Sequence, residues 1–293
     1  MPALTGNTSR TLPTGGLAVL CVAQFVVVLD VTIVAIALPA ISRELGFQPA
    51  RLSWVITAYT VVLAGLLILG GGAADLLGAA RMFRVGLLGF SVASLGCALA
   101  WSPAVLICAR VAQGIGAAAL SPAALAALNQ LIESPGARRR ALGWWTAAAA
   151  GGGASGWVLG GLITEFAGWR WIFAVNVPIG LAAALISLRV LSPISRPPSD
   201  EEHVRQLDLL GALLVTAGVA LVALGLSMIA EDIGHWPGWL VVAFASVALT
   251  LFLWHEARIA QPLIPGSLIT RPGVVGGNLT AAALTASTTP AVL

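Results

Sequence analysis

Long apolar runs separated by short polar breaks dominate the chain. A helix crossing about 30 Å of hydrocarbon needs about 20 apolar residues. Runs that meet this length or approach it occupy residues 15–38, 53–72, 82–101, 104–129, 143–166, 171–191, 209–230 and 239–254. A further run opens at Gly273 and reaches Leu293 amid small and hydroxylated residues, which reads as an interrupted span. Each run is bounded by charges, Pro or clustered Gly, and none alternates with the two-residue period of a half-buried strand. The pattern predicts an all-α integral membrane protein. The longest polar interruption, 192–206, carries Pro197, Pro198, Asp200, Glu201, Glu202, His203 and Arg205, and is expected to be a cytoplasmic linker dividing six helices (1–191) from the rest. Arg10 before the first run, with Ala35 and Ala37 late in it, imitates a cleavable signal peptide. Asp30 and the length of the run argue against that.

Composition supports the membrane reading. The chain is 58% hydrophobic and 9% charged, far below the roughly one-quarter charged content of soluble domains. All 15 basic residues are Arg, spread mostly through the breaks between apolar segments and never forming a long basic face, so the basic balance does not describe a nucleic-acid surface. It describes topology. With a cytoplasmic N-terminus, Arg10, Arg81, Arg84, Arg138, Arg139, Arg140, Arg189, Arg196, Arg205, Arg258 and Arg271 fall inside, and Arg43, Arg51 and Arg170 fall outside. That asymmetry is what the positive-inside rule requires. Cys21, Cys97 and Cys108 lie in different runs without paired spacing, which offers no disulfide or zinc framework; no metal site is expected.

The polar residues inside spans carry the functional signal. Asp30 sits well inside the first run, where a charge costs about 2.5–3.5 kcal/mol on insertion scales, so it marks a cavity, a partner or a proton site. Arg110 is its counterpart in the fourth run, within Arg110-Val111-Ala112-Gln113-Gly114. With no other charge clearly inside the first six spans, Arg110 is expected to pair with Asp30 in a bidentate geometry, as a proton-sensitive contact or as a fixed clamp between helices. Glycines at 152, 156 and 160, with Gly161 beside them, recur every four residues and form a flat stripe for close helix approach. Asp75, in the turn before Arg81, is placed to cap a neighbouring helix or to latch onto an Arg. Gln24, Trp54, Tyr59, Gln113 and Asn176 are candidate cavity-lining residues because they are polar or aromatic within spans.

These stretches resemble the major facilitator superfamily, and within it the fourteen-span drug/proton antiporter branch. The resemblance rests on 29–39 (Leu29 to Pro39), Arg110 to Gly116 with Pro122, the 152–161 glycines, and Trp169-Arg170-Trp171-Ile172-Phe173-Ala174-Val175-Asn176-Val177-Pro178-Ile179-Gly180. Asp208-Leu209-Leu210-Gly211 and the segment from Glu256 to Leu263 are similar to the branch's inter-bundle region. The resemblance implies a six-helix N-terminal bundle over 1–191, two inter-bundle helices over 207–258, and over 259–293 the truncated start of a second bundle needed for transport. It further implies proton coupling by Asp30 and Arg110, gating by Asp75, Gly78 and Arg81, and an antiport role for Gly152, Gly156, Gly160 and Gly161. The chain departs from the branch at Ala35, Leu76, Ala79, Ala80 and Trp157, which thins the gate and removes a kink-former from the stripe.

The function expected is proton-driven export of drugs or other amphipathic molecules, lipophilic or cationic, across the plasma membrane by alternating access. A permease for one metabolite or self-made antibiotic, or a non-transporting fragment, are the alternatives. No cofactor beyond the proton gradient is expected. No G-x-x-x-x-G-K-[ST], G-x-S-x-G or H-E-x-x-H stretch occurs, so neither an ATP-driven pump nor a membrane hydrolase is indicated.

Overall fold

The structure, a computed structural model, describes residues 14–132, 134–191, 208–231, 236–259, 275–277 and 279–280. In chain order it forms α1 (Thr14–Leu45), α2 (Pro49–Leu52), α3 (Trp54–Leu77), α4 (Ala79–Ala98), α5 (Pro103–Leu131) and α6 (Pro135–Phe166). There follow α7 (Arg170–Ala174), α8 (Asn176–Val190), α9 (Leu209–Glu231) and α10 (Trp236–Glu256). Among the described residues there is no strand. The 192–206 linker and most of the run beyond Gly273 lie outside the described residues.

Among the described residues, six helical segments are long and apolar enough to cross a membrane: α1, α3, α4, α5, Arg170–Val190 and α10. α6 is as long as α1, at 32 residues, but its apolar surface is Ala and Gly rather than Leu and Ile. At 1.5 Å per residue it still extends for about 48 Å. The expected sixth run is two helices, α7 and α8, meeting at Val175. Pro178 explains the break: it has no N–H to offer the carbonyl of Ala174, and its ring crowds that carbonyl.

Local sequence sets the turns. Gly78 joins α3 to α4 with φ +93°, a left-handed conformation natural to glycine. α5 begins at Ser102, whose Oγ accepts from the Val105 N–H at 3.3 Å, with Pro103 at the first helical position.

Packing is tight where small residues face each other. α1 packs along α6, and α5 is sandwiched between α3 and α4. α9 packs against α10 and α3. Pro122 inside α5 deprives the Ala118 carbonyl of its helical donor. Gly70 of α3 presses on that same carbonyl, and any side chain there would collide with it.

Two apolar clusters fill the interior. One includes Leu20, Val27, Tyr59, Phe90, Ala117 and Leu120; the other includes Leu29, Ile33, Val55, Cys97, Leu106 and Phe173. On α1, α3, α4 and α5 the two sets meet at a common level. Asp30, Ser94, Arg110 and Gln113, all fully buried, lie at that level.

Candidate functional site

Asp30 and Arg110 have no solvent exposure, and Arg110 Nη1 donates to Asp30 Oδ2 at 2.5 Å. The pair bridges α1 and α5. Arg110 Nε donates to the Val55 carbonyl of α3 at 2.8 Å, and Nη1 also reaches Gln113 Oε1 at 2.7 Å. The expected bidentate pairing is therefore replaced by a divided one: a single guanidinium nitrogen serves the carboxylate, and Nε fastens a backbone carbonyl. The reason is position. Val55 lies beside Arg110 near the start of α3, where it offers an acceptor that a second carboxylate contact would forfeit.

Asp30 Oδ1 accepts from Gln113 Nε2 at 2.8 Å and from Asn176 Nδ2 at 3.0 Å. The carboxylate thus faces three donors from two other helices, α5 and α8. Gln113 is itself held, since Nε2 also donates to Ser94 Oγ at 2.8 Å and Oε1 accepts from Cys97 Sγ at 3.5 Å. The guanidinium carbon lies 4.2 Å from the centre of the Tyr59 ring and 5.8 Å from that of Phe173, cation–π geometry that helps retain the charge without water. Arg110 Nη2, Tyr59 Oη and Asn176 Oδ1 are buried without hydrogen-bond partners.

Tyr59, Gln113 and Asn176, expected to line a substrate cavity, are buried in this cluster around Asp30 and Arg110. Gln24 and Trp54 are half-buried elsewhere on α1 and α3 and make no hydrogen bond within it. Helical spacing shows that a polar residue faces inward, not which helix it meets.

The glycine stripe is an interface between α6 and α1. A Cβ at Gly152 would lie 2.5 Å from the Phe25 carbonyl oxygen, one at Gly156 would collide with Thr32 Oγ1, and one at Gly160 would meet the Ile33 oxygen at 3.1 Å. Gly161 has open space around it and does not belong to the contact. The three contacting positions bracket Asp30 in register, from Phe25 to Ile33. α4 starts at Gly78 without a side-chain cap, and Asp75 and Arg81 are both exposed.

At one end of the bundle, Glu44 at the close of α1 accepts from Trp169 Nε1 at 2.6 Å and pairs with Arg170. Arg170 Nη2 also donates to the Ala100 carbonyl at 3.0 Å, and its guanidinium lies over the Trp169 ring. At the start of α9, Asp208 Oδ1 accepts from the Gly211 N–H and from His255 Nε2 at the end of α10, both at 2.9 Å. Sequence reading missed the Glu44–Arg170 and Asp208–His255 pairs, because their partners stand far apart in the chain.

A multi-helix bundle with membrane-spanning lengths and a carboxylate–guanidinium pair sealed inside it defines a polytopic membrane protein. The chain belongs to the major facilitator superfamily: residues 20–291 match the family described as "Major Facilitator Superfamily". It is 45% identical over 284 residues to the cephamycin export protein CmcT of Amycolatopsis lactamdurans, covering 94% of this chain and 57% of that protein. It is 42% identical to the puromycin resistance protein pur8 of Streptomyces alboniger, over 89% of this chain and 50% of that one. The chain thus spans about half the length of these curated relatives. Among solved structures it is similar to a bacterial homolog of the human lysosomal transporter Spinster, inward-facing and unoccupied. The TM-score is 0.56 at 20% identity, over 89% of this chain and 66% of that one, a likeness of fold.

Proposed function

We propose that this chain takes part in exporting antibiotic-like, amphipathic small molecules across the plasma membrane, driven by inward proton movement through alternating access, with its N-terminus in the cytoplasm. The observation that carries the reading is the fully buried Asp30, held by Arg110, Gln113 and Asn176. A carboxylate enclosed in this way responds to a proton by exchanging one hydrogen-bond pattern for another, and the helices that supply the donors respond with it. The substrate class is supported by relatives named for cephamycin export and for puromycin, lincomycin and methylenomycin A resistance. The cephamycin relative favours a narrower version, export of one self-made antibiotic. No cofactor enters the reading, because the proton gradient supplies the energy. The 11-to-3 division of Arg described above supports the orientation.

The test is proton release from acid-loaded everted membrane vesicles on addition of lipophilic cations, β-lactams and puromycin. It is run with this chain and with this chain joined to the remaining part of the cephamycin export relative. Substrate-evoked proton release in either form, lost on Asp30→Asn, supports the reading. Transport without proton release would assign export but remove the coupling. No transport by either form would overturn it.

A further inference from the structure

We propose that Asn176 is the residue that receives the hydrogen bond of Asp30 when Asp30 is protonated, its amide donating to the carboxylate in one state and, turned end for end, accepting from the carboxylic acid in the other. The inference deepens the reading of Asp30 as the protonated group and rests on it.

In the structure every neighbour of the carboxylate presents a donor. That suits an ionised Asp30, which only accepts. A proton taken from water forms an O–H bond on one carboxylate oxygen and removes the negative charge, and the new O–H then needs an acceptor in a site closed to solvent. Arg110 has donors only. Gln113 has an acceptor, but Oε1 already serves Arg110 and Cys97 while Nε2 serves Asp30 and Ser94. Turning that amide would point its NH2 at the guanidinium. Ser94 gives its own hydrogen to the Phe90 carbonyl and takes one from Gln113. Tyr59 lies against Arg110 and makes no hydrogen bond to Asp30, and Cys97 is engaged with Gln113. Arg110, Tyr59 and Cys97 are the charged and titratable groups that face the carboxylate from α5, α3 and α4.

Asn176 differs from all of these. Its Nδ2 donates to Asp30 Oδ1, and its Oδ1, 1% exposed as a residue and sealed within the bundle, has no partner to lose. Rotation about its terminal bond brings that oxygen to the position now held by the NH2, at the cost of no existing contact except the one being replaced. Asn176 is the first residue of α8, directly beyond the break at Val175. The exchange is therefore felt at the junction of α7 and α8 rather than in the middle of a continuous helix. Asn176 is on this account a positioning residue: it holds the proton's hydrogen bond and does not itself gain or lose a proton.

The experiment is infrared difference spectroscopy, acidic minus neutral, on the 293-residue chain reconstituted in phospholipid bilayers. Protonated Asp30 contributes a carboxylic C=O band, identified by its loss in Asp30→Asn. In Asn176→Leu, which keeps the branched shape but has neither donor nor acceptor, that band is expected to move to the higher frequency of an acid whose O–H lacks an acceptor. A second measurement needs no change at position 176. In the wild-type chain carrying side-chain 13C-asparagine, acidification should shift one amide C=O band to lower frequency, and Asp30→Ala should abolish the shift. An Asp30 band that is unmoved in a folded Asn176→Leu chain, or a labelled amide that does not respond to acid, overturns the inference while leaving Asp30 as the protonated group. Absence of any Asp30-dependent band overturns both together.

Discussion

A buried guanidinium and a buried carboxylate persist in one bundle only if each is compensated within a few ångströms. At Arg110 the compensation is shared among Asp30, Gln113, the Val55 carbonyl and the Tyr59 ring. Lysine carries the same charge but lacks the planar fork by which two nitrogens reach the carboxylate and the α3 carbonyl from different directions. Each buried partner left without its hydrogen bond costs about 1–3 kcal/mol. Arg110→Lys is therefore expected to lower the melting temperature in detergent and abolish transport, and a variant with wild-type melting and turnover would reduce Arg110 to a generic positive charge. Asp30→Asn keeps the shape and leaves Arg110 without its counter-charge, a loss of about 3–5 kcal/mol for buried pairs. Membrane fractionation should find it inserted normally, melting should fall, and substrate-evoked proton release should drop to baseline. The pair itself was legible in the sequence, since Asp30 and Arg110 were the charges left inside the first six spans. Its surroundings were not. Gln113 and Asn176 are 83 and 146 positions from Asp30, and no periodicity links one helix's inward face to a particular partner.

At the level of the element, α6 and α1 approach so closely that backbone meets backbone. Gly156→Leu places a side chain where Thr32 Oγ1 already lies, whereas a Cβ added at Gly161 meets nothing within 4 Å. The paired prediction is that Gly156→Leu lowers melting and transport sharply while Gly161→Leu leaves both near wild type. Equal behaviour of the two would remove the α1–α6 contact from the account. Helical runs were readable because about 20 apolar residues have few other uses in a chain. The division of the sixth run at Val175 was written in Pro178 but hidden by an unbroken apolar pattern, since hydropathy records transfer to lipid and is blind to a missing N–H. Gly161 was grouped with the stripe by adjacency, although one residue along a helix is a turn of about 100° and a different face.

For the whole molecule, the proposed orientation is open to direct measurement. In a chain with Cys21, Cys97 and Cys108 replaced by Ala, a membrane-impermeant maleimide should label Arg43→Cys in intact cells and Arg140→Cys only after permeabilisation. The reverse pattern would invert the topology. The rim and the interior of the bundle also differ in what holds them. Glu44 and Arg170 are partly open to water, with side chains 53% and 38% exposed, whereas Asp30 and Arg110 are 0% exposed. Mobile ions screen exposed charges over about 8 Å at physiological ionic strength and over about 3 Å at 1 M. They do not enter the interior. Salt therefore acts unevenly on this protein: raising it loosens the tie between α1 and the start of α7 while the central pair keeps its full attraction. Ionic strength becomes a dial that separates the opening of the bundle's rim from the chemistry at its heart.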